Sequence, residues 1–81
     1  MISPAEAANK VKQTQNYQQV LKVKDYDAKH YVVEALPVAN KIPKGAQTTF
    51  GVDKNTGQVT AFHLQPGSTL ERYLAAKDCK F

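Results

Sequence analysis

One run of residues limits this chain's fold more than any other: His30-Tyr31-Val32-Val33-Glu34-Ala35-Leu36. Its β-branched and aromatic side chains favour a pleated strand. The run is apolar on both faces, whereas a strand with one solvated face alternates cleanly between apolar and polar. It predicts a strand over residues 30–36 and an apolar surplus that a partner contact would bury.

The neighbouring segments supply partners for this strand. From Tyr17 the pattern has period two: Leu21 and Val23 alternate with Lys22 and Lys24, predicting a half-buried strand over about 17–24. Asp25-Tyr26-Asp27-Ala28-Lys29 is turn-like. Pairing Asp25 with Lys29 sets Val23 against Tyr31 and Leu21 against Val33. On the other face, Lys22 meets Val32 and Val20 meets Glu34. Pro37 to Gly45 reads as a loop between two hairpins. Strands over about 48–53 and 58–63 flank the turn Asp53-Lys54-Asn55-Thr56-Gly57, where Gly57 suits a positive φ. Pairing Asp53 with Gln58 sets Val52 against Val59, Phe50 against Ala61 and Gly51 against Thr60. Phe62 then covers the bare backbone at Gly51.

Helices are predicted at both ends. Ser3, Pro4 and Glu6 form a capping box with proline at the first helical position, opening a helix over about 4–14. Ala7, Ala8 and Val11 give it a narrow apolar stripe. Ser68-Thr69-Leu70-Glu71 follows the Pro66-Gly67 break as a second box, opening a helix over about 69–77. Asp78 to Phe81 reads as a frayed tail. The expected fold is one α+β domain over residues 1–81. It has an N-terminal helix, a four-stranded antiparallel sheet of two hairpins and a short C-terminal helix. Both helices lie on the face carrying Leu21, Val23, Tyr31, Val33, Phe50, Val52, Val59 and Ala61.

The pieces Ser3-Pro4-Ala5-Glu6-Ala7, Tyr31-Val32-Val33-Glu34 and Val52-Asp53-Lys54-Asn55-Thr56-Gly57-Gln58-Val59 together resemble the PepSY family of small α+β domains. The resemblance covers roughly residues 2 to 62. It implies a helix packed on an antiparallel sheet and a binding or inhibitory role, usually toward a peptidase or outside the membrane. The chain departs from that setting, since its start lacks the basic and apolar regions of a secretion signal. The segments Asp25-Tyr26-Asp27…Tyr31-Val32-Val33 and Val52 to Phe62 also resemble small proteins of Gram-positive phages and prophages. That likeness transfers no functional residues. A cytoplasmic location is expected, the host cytoplasm if the chain is phage-encoded.

Chemistry-bearing motifs are sparse. His30, His63, Cys79 and the carboxylates show no metal-ligand spacing, so no metal or other cofactor is expected. Cys79 sits in the expected tail, where Lys77 and Lys80 would lower its pKa. The glycines at 45, 51, 57 and 67 are isolated and form no phosphate-binding loop. No catalytic residues are assigned, and an enzyme is not expected.

Charge and the spare sheet face carry the remaining reading. The net charge is +4, and all basic residues but Arg72 are lysines, spread along the chain. Lysine is a weaker device than arginine for bidentate phosphate recognition. The open sheet face would carry an apolar strip of Val20, Val32 and Phe62. The expected partner-binding residues are Val20, Lys22, Lys24, Val32, Thr60 and Phe62, with the lysines steering an acidic protein. A homodimer through this face, or pairing along an edge strand, belongs to the same reading. The alternative is a nucleic-acid binder using Lys10, Lys12, Lys22 and Lys24. No membrane partner is expected.

Overall fold

A computed structural model describes all of residues 1–81. Its first helix, α1 (Pro4–Gln15), opens as the capping box requires. Ser3 Oγ accepts the Glu6 N–H at 3.2 Å, and the Glu6 carboxylate accepts the Ser3 N–H at 3.2 Å. Asn16 ends the helix in the left-handed conformation, φ 57°. Ala7, Ala8 and Val11 are its buried face.

Four strands follow: β1 (Gln19–Asp25), β2 (His30–Leu36), β3 (Thr49–Asp53) and β4 (Val59–Ala61). Helix α2 spans Ser68–Ala75, and a last strand, β5, spans Lys77–Asp78. The sheet therefore has five strands rather than four, in the order β4-β3-β2-β1-β5, all pairs antiparallel. The doubly apolar run occupies its centre, and Val32 and Val33, which point to opposite faces, are both fully buried. The tail expected to fray instead extends β1's edge, with Cys79 N–H donating to Val23 O at 2.8 Å.

The β3–β4 hairpin has the expected register: Val52 faces Val59, Phe50 faces Ala61 and Gly51 faces Thr60. Asp53 holds its turn by accepting the N–H groups of Asn55 and Thr56 at 2.8 and 2.9 Å, and Gly57 takes φ 76°. A side chain on Gly51 would meet Thr60 Oγ1 at 3.4 Å and the Phe62 ring at 3.8 Å.

The β1–β2 hairpin differs from its expected register. Val23 faces Val33 instead of Tyr31, and Asp25 faces Tyr31. The turn is longer because the Asp27 carboxylate accepts the N–H groups of both Lys29 and His30 at 2.8 Å. A slip of two residues keeps every side chain on its face, so polarity alternation cannot detect it. A second difference does exchange faces. The register shifts between Val20 and Lys22, leaving Leu21 as the extra residue of a β-bulge. Val20 turns to pair with Ala35 and packs against the core, while Leu21, expected inside, is 40% exposed.

The helices lie on opposite faces of the sheet, not on one. α1 packs its alanines and Val11 on Val23, Tyr31, Val33, Ala35, Phe50 and Val52. On the reverse face runs the row Lys24–Val32–Gly51–Thr60. There the buried Tyr73 of α2 meets the Lys24 ammonium, 5.4 Å from its ring centre. Tyr26 and Phe62 stack edge to face beside them at 5.1 Å, and Arg72 reaches over Tyr26 at 5.9 Å. The surplus apolar face of β2 is thus covered within the chain.

The start of α2 also departs from expectation. Gly67, at φ 109°, is the N-cap, and Ser68 is already helical, with no side-chain cap bond. That backbone angle is open to glycine and costly for other residues.

Candidate interaction site

The residues expected to form a contact face do not form one. Val32 is fully buried, and Lys24 is 6% exposed. The Lys24 ammonium bonds Asp78 at 3.1 Å and the Ala76 carbonyl at 3.2 Å, which holds it under the end of α2. It steers nothing from there. Val20 has moved to the α1 side. Phe62 is half-buried against Tyr26, and only Lys22 and Thr60 remain exposed.

The lysines of the nucleic-acid alternative are likewise separated. The Lys10 stem lies against Gly57, in the β3–β4 turn, with its Cε 3.2 Å from where a Cβ would stand. Lys12 faces the opposite side of α1, toward β1. Lys24 is buried and paired.

The carboxylates at the turn end of the sheet serve local structure. Asp25 pairs with the buried Lys54 ammonium. Partial burial pushes the Asp27 carboxyl up, but the N–H groups of Lys29 and His30 and the His30 ring outweigh it and hold the group below its usual value. The Thr56 and Asn55 N–H groups hold Asp53 down in the same way. The Cys79 thiol is pushed up, first by burial and then by Asp25, while Lys54 and Lys77 offset this only in part. The expected lowering of Cys79 is therefore reversed. The thiol packs on the core as a small apolar group, free of any disulfide.

One concavity stands out. A groove of about 440 Å³ runs between α1 and β1, with Ala5, Ala8, Lys12, Gln19, Val20 and Phe81 in its walls. Its position follows from two local facts. Alanines at positions 5 and 8 leave α1 thin on this side, and β5 covers β1 only from Lys24 to Asp25, with one further bond to Val23. Beyond it, Gln19 to Lys22 pair with no second strand on their outer side, where the tail ends with Phe81 in the groove wall. Lys12 is the only charged side chain in the lining.

Of the groove residues, only Val20 was expected to contact a protein partner, and Lys12 was expected only in the nucleic-acid alternative. A signal was there to be read: Ala5, Ala8, Asn9 and Lys12 recur at helical spacing as a second stripe, beside the buried Ala7-Ala8-Val11 stripe. What hid it was the tail, whose pairing defines where the edge of β1 becomes free.

Compared with known proteins, the chain matches no family model, no curated protein and no solved structure. No helix is long and apolar enough to cross a membrane.

Proposed function

We propose that this chain is a small non-enzymatic protein-interaction domain, acting as an inhibitor or assembly accessory of the kind phages encode, and that it binds through the β1 edge. The observation that carries this reading is the edge from Gln19 to Lys22, which no second strand pairs, flanked by the α1 groove, in a domain whose expected contact residues Val32 and Lys24 are buried. An unpaired strand edge presents a row of backbone donors and acceptors that another chain can complete. The PepSY resemblance points toward binding as well.

A photo-reactive residue placed at position 21, and separately at position 10, tests this in cells. Protein adducts from position 21 and few from position 10 are expected. Adducts chiefly to nucleic acid, with binding that fades steeply between about 50 and 200 mM salt, would install the alternative reading instead.

A further inference from the structure

On the reverse sheet face Lys24 is already paired, and at the turn end Asp25, Asp27 and Lys54 are. The exposed apolar residues Val38 and Ile42, in the loop after β2, have no concavity beside them. The β1 edge differs, because an unfilled backbone ladder, a groove and an unbalanced charge meet there.

We infer that the β1 edge takes an extended, acidic partner segment as an added strand, alternating small aliphatic with acidic residues. This rests on the function proposed above and names the chemistry of the partner. A strand laid along Gln19–Lys22 points successive side chains to opposite sides. Those directed toward α1 enter the groove, where Ala5, Ala8, Val20 and Phe81 offer apolar walls to a branched aliphatic side chain. Those directed away lie beside Lys22, which is exposed and follows the bulge on the reverse face. Lys22 thus borders the side given to the acidic residues, and no acidic side chain lines the groove on the other. The net charge of +4 adds long-range attraction for the same partner.

A second copy of this chain is the other obvious occupant, and it is disfavoured on the same observations. Edge-to-edge pairing would oppose two +4 domains. The bulge at Leu21 also interrupts the regular edge that indiscriminate pairing needs. A groove that supplies side-chain contacts makes binding selective despite the short ladder.

The test uses the whole chain and three synthetic heptapeptides: alternating Val and Glu, alternating Val and Lys, and the Val/Glu peptide with its central residue replaced by proline. Amide exchange and chemical shifts are followed by NMR. The Val/Glu peptide is expected to bind saturably and to slow exchange within residues 19–22. The proline peptide should lose most of that protection, because it cannot complete the ladder. Lys22→Gln, on the side the acidic residues face, should weaken Val/Glu binding about threefold without unfolding the domain. Equal binding of the Val/Lys peptide at residues 19–22 would overturn the acidic partner while leaving the β1 edge as the contact. Shifts mapping elsewhere, or no saturable binding by any peptide, would overturn the added strand. Position-21 adducts would then decide separately whether the edge is still the protein contact.

Discussion

The Lys54 ammonium lies 5.0 Å from the centre of the Tyr31 ring, beneath the N-terminal segment. The same ring sends its hydroxyl to the Ile2 carbonyl at 3.0 Å, and Ile2 N–H donates to the Lys54 carbonyl at 2.7 Å. Lys54 is only 7% exposed and also pairs with Asp25. A turn residue thereby joins the start of the chain, the central strand and the end of β1.

Lys54→Ala removes the cation over the ring, the ion pair and the packed aliphatic stem together. It should cost about 2 kcal/mol in urea unfolding. Lys54→Met keeps the stem and should lose less. A Lys54→Ala protein as stable as wild type would show that this cluster contributes nothing.

The bulge predicts an inversion of the usual strand pattern. Val20→Ala should cost about 1–2 kcal/mol, because Val20 packs on the core, and Leu21→Ala less than about 0.5 kcal/mol. Equilibrium melts of the two variants decide this. The opposite ranking would put Leu21 inside and abolish the register shift.

Tyr73 anchors α2, yet its hydroxyl is buried without a hydrogen bond. Burial, followed by Glu34 and Asp78, pushes its pKa up. Tyr73→Phe should leave stability unchanged or raise it slightly, since it removes an unsatisfied polar atom. Tyr73→Ala should cost about 3–4 kcal/mol and free α2 from the sheet. Retention of α2 amide protection in the alanine variant would contradict its role as the anchor.

Acid should destabilise the domain through Asp27 and Asp53. Both carboxyls titrate below their ordinary value of 3.8 when folded. As pH falls, the unfolded chain takes up protons first, so the stability these groups contribute is present above that value. It is lost from about pH 5 downward, through the folded pKa values. Urea midpoints at about pH 3 and pH 6 measure the loss. Asp27→Asn should lessen the difference, by under about 1 kcal/mol because the site is partly exposed. An unchanged pH dependence would assign the acid sensitivity to other groups.

Elements written in short-range chemistry were legible from the residues alone. The Ser3–Glu6 box placed α1, and the Asp53-to-Gly57 turn set the β3–β4 register, because each signal joins residues a few positions apart. The composition of His30–Leu36 marked the central strand. Period-two alternation is blind to a slip of two residues, so the β1–β2 register waited on the Asp27 carboxylate and its two N–H donors. The bulge at Leu21, the face that α2 covers and the pairing of the tail were decided only in three dimensions. Each depends on which long-range contacts bury more apolar area, and both sheet faces offered some. The groove followed from those choices. Its walls come from α1, β1 and Phe81, and the edge beside it is free only because β5 stops short.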